Sequence, residues 1–156
     1  MSHETFMRAA IALSKKNVDD GTGGPFGAVI VRNGEIIGEG TNLVTSSNDP
    51  TAHAEVVAIR QACERLETFN LEGCVVYTSC EPCPMCLSAI YWARLDRIFY
   101  GNTKVDAAKI DFDDDFLYTE IPKPISERSI PTEQLLHDES IAAFDAWAKS
   151  EIKVPY

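Results

Sequence analysis

The stretch that opens Thr51-Ala52-His53-Ala54-Glu55 and closes Pro82-Cys83-Pro84-Met85-Cys86 decides how the chain folds, because it places two helix starts and one interior strand around a single set of ligand-type side chains. Asp49-Pro50 is a helix-start signal, so the helix that follows should carry His53 in its first turn and run to about Leu66. Val56, Ile59, Cys63 and Leu66 form one apolar stripe on it, with Ala58 and Ala62 beside. Cys74 to Ser79 is a continuous apolar run of the kind an interior strand shows, and Pro84 begins the next helix, which reaches about Ala93. Cys83 and Cys86 then lie at i, i+3 on its opening turn. His53 and Glu55 are two apart and do not face each other across a regular helix, so they share a site only in front of the helix N-terminus.

Those side chains have the chemistry of a zinc site with one position left open. Zinc takes imidazole nitrogen and thiolate sulfur in tetrahedral geometry, and a catalytic site keeps three protein ligands and a water. His53, Cys83 and Cys86 supply the three. Water activated on the metal needs a carboxylate within reach to take its proton, and Glu55 is two residues from a ligand. H-x-E followed by P-C-x-x-C is the general signature of zinc deaminases of nucleobases. A lone C-x-x-C is weaker, because redox pairs and structural zinc ribbons share it. A closed structural site would need a fourth ligand, for which Cys80, three residues before Cys83, is the candidate; Cys63 and Cys74 sit in apolar surroundings and read as core. A redox reading of Cys83 and Cys86 leaves His53 and Glu55 unexplained. The positive end of the second helix, together with the metal, would hold both sulfurs as thiolates.

Outward from the centre, Glu4 to Val18 sets Phe6, Met7, Ala10, Ile11, Leu13 and Val18 at helical spacing, and Gly21-Thr22-Gly23-Gly24-Pro25 ends that helix in a loop. Phe26 to Val31 and Glu35 to Asn42 are two strands joined by Asn33-Gly34, a tight-hairpin signal because both turn positions favour positive φ. Arg97 to Gly101 is a fourth strand. Strands alternating with helices give a three-layer α/β domain, with the site where two helix N-termini meet across the sheet. Beyond Gly101 the pattern weakens: Asp111 to Phe116 and the proline-spaced run Ile121 to Pro131 read as an extended crossing segment. Thr132 to His137 fits helix or strand, and Ser140 to Ile152 reads as an amphipathic helix.

At 156 residues the chain makes one domain with a proper core. Its start has neither a basic n-region nor an apolar h-region, no run approaches a membrane span, and five cysteines with two committed to a metal fit reduced thiols. A cytoplasmic protein with no membrane partner is expected. The formal net charge of −10 argues against nucleic acid, since phosphates are neutralised by clustered Lys and Arg. From Asn102 onward six Lys/Arg stand against twelve Asp/Glu, which leaves no basic arm for an RNA and favours a small-molecule substrate. His3 and His137 read as surface, and Tyr91 and Trp92 as core.

With these residues the chain resembles the small bacterial guanine deaminases of the cytidine-deaminase-like superfamily almost end to end. The likeness runs through Gly23 to Val29, Asn48 to Glu55, Tyr77 to Cys86, Tyr91 to Arg94, Phe112-Asp113-Asp114 and the terminal Tyr156; the last two features narrow it within the superfamily. It implies a three-layer α/β/α cytidine-deaminase-like fold with a central mixed sheet, Zn2+ as cofactor, and hydrolytic deamination of a purine, guanine to xanthine. It also implies that Phe26 stacks on the base, that Asn42 and the backbone at Ala54 hold its polar edge, and that Asp114 approaches the exocyclic amine. Residues from about 120 to 156 would cross to a second subunit in a domain-swapped homodimer and bring Tyr156 over the partner's site as a lid. The alternatives are a tRNA adenosine deaminase, which carries the same metal motif, a deaminase of another small base (guanosine, cytosine or an aminotriazine), and a non-catalytic zinc-stabilised subunit.

Overall fold

The structure, a computed structural model, describes residues 2–156. The chain divides into two units, residues 1–115 and 116–156. In the first, α1 (His3–Asp19) leads into the hairpin β1 (Gly27–Arg32) and β2 (Glu35–Thr41). Asn33 and Gly34 close the hairpin with φ of 52° and 79°, the two left-handed residues a tight turn requires. A single turn, α2 (Val44–Ser47), precedes α3 (Ala54–Leu66), then β3 (Cys74–Cys80), α4 (Pro84–Trp92), β4 (Arg97–Asn102) and the short α5 (Lys104–Ala108).

The sheet has the order β2-β1-β3-β4. β1 runs antiparallel to both β2 and β3, while β4 is parallel to β3, so the sheet is mixed, as the resemblance implies. One face packs on α1 through Phe6, Ala10, Val29, Val31 and Tyr77. The other packs on α3 and α4 through Ala28, Ile30, Val76, Ala54, Ala58, Ala62 and Ile90. Three layers result. Both ligand-bearing helices lie on the same face, so their N-termini meet beside each other at one end of the sheet rather than across it.

Which stripe of α3 faces the sheet differs from expectation. Ala54, Ala58 and Ala62 are fully buried, while Ile59, Cys63 and Leu66 are only partly so. The cause lies on β2: a Cβ on Gly38 would meet the Ala58 carbonyl oxygen at 2.4 Å, and one on Gly40 the Ala54 carbonyl oxygen at 2.1 Å. Glycine facing alanine brings helix and strand backbones into contact and rotates the larger side chains outward. Two polar side chains of α3 then close the outer edge of β2, with the Glu39 N–H donating to Gln61 Oε1 at 2.5 Å and Arg65 Nη1 donating to the Ile36 carbonyl at 2.8 Å. With two of its outward groups taken, this edge strand is a poorer template for a second chain.

Other expectations are corrected. On α1 the buried set is Phe6, Ala10 and Asn17, whereas Ile11 and Val18 are about half exposed. Tyr91 and Trp92 are not core but 75% and 66% exposed. His3 is on the surface, as read, yet Nδ1 shares a hydrogen with the Tyr77 hydroxyl at 2.6 Å. The stretches read as extended are not so throughout, since α6 (Asp115–Glu120) starts within the first and Ile125–Glu127 is a 3-10 turn in the second; ahead of them Thr103 and Asp106 form a capping box that starts α5.

The second unit holds most of α6 (Asp115–Glu120), a 3-10 turn at Ile125–Glu127 and α7 (His137–Lys149). Arg128 ties its first turn together, donating to the carbonyls of Ile121 at 3.2 Å and Lys123 at 3.3 Å. None of residues 116–156 is buried, and Leu135, Phe144 and Tyr156 are 76%, 74% and 71% exposed. Among the described residues no helix is long and apolar enough to cross a membrane.

Candidate metal centre

His53 and Cys83 occupy equivalent places. Each is the N-cap of its helix, with extended backbone (φ −70°, ψ 156° and φ −65°, ψ 167°), so each side chain projects ahead of the first turn rather than along the helix flank. His53 is therefore one residue outside the first turn in which the sequence placed it. The approach to it is fixed by Asp49, whose Oδ1 accepts from the Thr51 N–H at 2.8 Å and the Thr51 hydroxyl at 2.7 Å, bonds that hold its carboxyl below the usual range. The His53 N–H in turn donates to the Thr51 carbonyl at 2.8 Å. Pro84 sets the opening φ of α4 without wasting a donor, and Cys86 follows in the first turn, fully buried.

These two caps bring three donor atoms together. His53 Nδ1 is 3.6 Å from Cys83 Sγ and 3.5 Å from Cys86 Sγ, and all three atoms lie within 4.8 Å of one another. Bonds of about 2.3 Å from zinc to sulfur and about 2.05 Å to nitrogen, at the tetrahedral angle, give an S···N edge of about 3.6 Å. The residues fit a zinc ion with Nδ1 as the ligating nitrogen. Cys80 is not part of the cluster: its thiol is buried, contacts the Thr103 carbonyl at 3.7 Å, and is pushed up to about 11 chiefly by burial, with the charges of Glu55, Asp114 and Glu81 adding to it. A closed four-ligand site is thus excluded among the described residues.

Even without metal the pair of thiols is asymmetric. The Cys86 thiol hydrogen-bonds to Cys83 and lowers it to about 4, with His53 assisting against burial. The same bond, with burial and the nearby Glu55 charge, raises Cys86. His53 is raised, first by its bond to Cys83. A divalent cation among one imidazole and two sulfurs replaces this shared proton and lets both thiols ionise.

Glu55 lies in the first turn of α3, 6% exposed, and burial pushes its carboxyl above the usual range. Thr78 of β3 donates to its Oε1 at 3.2 Å. Burial also raises Asp114, and the charge of Cys83 adds to that. Ala54 is buried at the first position of α3, where backbone N–H groups point out of the helix. Asn42, 7% exposed, ends β2: its N–H donates to the Phe26 carbonyl at 3.2 Å and its Oδ1 accepts from the Val44 N–H at 3.2 Å. Phe26 meets Phe112 edge to face at 4.9 Å. Tyr156 ends the second unit.

Sequence reasoning missed two residues here. Thr78 was read only as part of an apolar strand. Asn17, 3% exposed on α1, donates from Nδ2 to the carbonyls of Gly24 and Asn42, both at 2.9 Å, tying the loop before Phe26 to the end of β2. Its signal was available: it stands seven residues after Ala10 on the stripe that Phe6 and Ala10 bury.

Residues 1–102 match the cytidine and deoxycytidylate deaminase zinc-binding region. Guanine deaminase of Bacillus subtilis (strain 168) is 55% identical over 156 residues, covering all of both chains. A solved structure of guanine deaminase from Bacillus subtilis superposes with a TM-score of 0.97 over 100% of this chain and 99% of that one. A tRNA-specific adenosine deaminase of Aquifex aeolicus (strain VF5) is 43% identical over 101 residues, 65% of this chain and 66% of the relative. The matched region, the end-to-end relative and a donor set of zinc dimensions agree: the chain belongs to the cytidine and deoxycytidylate deaminase family of zinc-dependent hydrolases.

Proposed function

We propose that the protein hydrolyses guanine to xanthine and ammonia. The observation that carries this is the 55% identity with a guanine deaminase across the whole of both chains, including the segment beyond residue 102 that the family region does not reach. The adenosine deaminase likeness covers 101 residues, and the net charge of −10 disfavours a tRNA.

His53, Cys83 and Cys86 would hold a zinc ion, which when bound would supply a water whose pKa falls from about 15.7 toward roughly 7. Glu55 takes the proton of that water and carries it to the ring nitrogen beside C2 as the oxygen adds to that carbon. Glu55 then takes the proton of the hydroxyl now on C2 and passes it to the exocyclic amine, so that the carbonyl forms as the C–N bond breaks and ammonia leaves. Phe26 stacks on the purine, and Asn42 with the backbone N–H at Ala54 holds its polar edge. Asp114 approaches the amine and assists the second proton transfer. The support for these roles is position: Glu55, Ala54 and His53 share one helix start, and Asn42 and Phe26 are bonded neighbours.

We further read the protein as a cytoplasmic homodimer that exchanges its C-terminal segment, about residues 120–156, so that the partner subunit's Tyr156 closes the base site. A segment with no buried residue and several exposed large apolar side chains lacks a core of its own, which is what an exchanged segment requires. The five free cysteines suit a reducing compartment.

Ammonia release from guanine, with guanosine, adenine, cytosine and tRNA run beside it, tests the activity. Turnover of guanine well above the rest is expected; preferential turnover of another substrate overturns the pocket assignment. The exchange is tested by mixing Glu55→Gln protein with protein lacking Tyr156: activity recovered in the mixture is expected, and none overturns a lid acting between subunits.

A further inference from the structure

Thr78 stands on β3 opposite Ala28 of β1, 1% exposed. It shares the α3–α4 face of the sheet with Cys74 and Val76, both fully buried. Every shape requirement of that position is met by valine, which is β-branched, strand-favouring and of nearly the same volume. What valine lacks is the hydroxyl, and the hydroxyl is the group that reaches Glu55 Oε1 at 3.2 Å.

Glu55 is a buried carboxylate, which is costly unless its oxygens find donors. Besides Thr78, its own backbone N–H and the Cys86 thiol favour its charged form, the thiol having a single proton to share between Cys83 and Glu55. The thiol is a donor only while it keeps its proton. Cys86 bound to a metal is a thiolate and has none to give. In the working protein the side-chain donor left among these is Thr78. It is also the stiff one: a β-branched residue in the middle of a paired strand has little freedom about χ1, so its hydroxyl is fixed by the sheet rather than by the helix that carries Glu55.

We propose that Thr78 is a positioning residue for the proton shuttle. Its hydroxyl pins one carboxylate oxygen of Glu55 to the sheet, leaving the other to face the ligand cluster and exchange protons with water and base. The proposal rests on the deaminase reading for Glu55's role, while the geometry it invokes belongs to this chain alone. A merely structural Thr78 would satisfy a buried group and affect stability without affecting turnover.

The test compares wild type with Thr78→Val, which removes the donor at constant shape, and Thr78→Ser, which keeps the donor and removes the methyl. All are assayed per bound zinc on whichever base the wild type turns over fastest. Thr78→Val is expected to lower kcat about 10- to 100-fold, the worth of a hydrogen bond to a charged group, with KM within about twofold and full zinc content. Thr78→Ser is expected to recover most of kcat. Independently of activity, crystals of zinc-loaded Thr78→Val, in which Cys86 has no proton to give, should show the Glu55 carboxylate turned from the position that Thr78→Ser preserves. Unchanged kcat in Thr78→Val overturns the proposal, as does equal impairment of both variants, which would mean lost packing. A Glu55 that stays in place in Thr78→Val overturns it too. Should the wild type deaminate no base, the function reading falls, and the Glu55 position in the two crystals alone decides for or against Thr78.

Discussion

Replacing Gly40 by alanine adds one methyl group near the C-terminal end of β2, away from the ligands in sequence, and tests how the metal centre is held. That methyl would lie 2.1 Å from the Ala54 carbonyl oxygen and 2.6 Å from the Ala58 backbone nitrogen. Both obstacles are helix backbone, so no rotamer change relieves them. Ordinary contact begins near 3.4 Å, so strand and helix must part by about 1.3 Å at the first turn of α3. Overpacking of this kind costs about 2 kcal/mol, which for a chain of this size lowers Tm by about 4–8 °C. The displaced turn follows the His53 cap and carries Glu55, and metal ligation tolerates only about 0.2 Å of error. Zinc affinity should therefore fall about 10-fold or more, read by chelator competition alongside thermal melts of loaded and metal-free protein. Gly34→Ala is the control: nothing lies within 4 Å of its Cβ, and its φ of +79° makes the cost backbone strain of about 1 kcal/mol, with zinc affinity unchanged. If Gly40→Ala melts within about 1 °C of wild type and holds zinc as tightly, the close approach does not set the position of α3 and the reasoning fails.

Glu55→Gln should keep one zinc per chain and lose about 10²- to 10⁴-fold in kcat, measured as ammonia release at saturating base. Asn17→Ala removes both bonds that tie the Gly24 and Asn42 carbonyls together, so KM should rise about 5- to 10-fold with kcat within about twofold; a fall in kcat at constant KM would place Asn17 elsewhere in the mechanism. Cys80 gives a pH dependence of definite sign. Its folded thiol is raised from 9.0 to about 11, so above 9.0 the unfolded chain ionises first and stability is lost as pH climbs toward about 11. Chemical denaturation of wild type and Cys80→Ala across that range should show the wild type losing more stability, and parallel curves would mean that the thiol is not held neutral by the fold.

The ligands were legible in the sequence because they depend on local signals. Pro84 starts α4 directly, whereas Asp49-Pro50 belongs to the turn that delivers His53 as the cap of α3, and the residue just before a helix projects its side chain past the N-terminus wherever it occurs. Asn33-Gly34 is likewise its own explanation. The facing stripe of α3 was not legible, since it follows from Gly38 and Gly40 on a strand that precedes the helix by many residues. Tyr91 and Trp92 misled for a related reason: on a helix apolar nearly all round, periodicity does not choose a face. The capping box at Thr103 and Asp106 carries a local signal, a threonine three residues before an aspartate, that sequence reasoning did not use.

The same distinction separates the metal from the base. Three ligands and Glu55 hang on two adjacent helix starts, so any sequence that builds those starts over glycine-lined strands builds the zinc chemistry. The base pocket proposed above is assembled otherwise. Phe26 and Asn42 sit at the ends of β1 and β2, held to each other by one backbone bond and to α1 by the Asn17 amide, while Phe112 reaches Phe26 from beyond β4. Substitutions in those loops can change the base without disturbing a ligand. The zinc-binding region ends at residue 102, so Phe112 and Asp114 lie beyond it, in a part of the chain that the end-to-end likeness to a guanine deaminase spans.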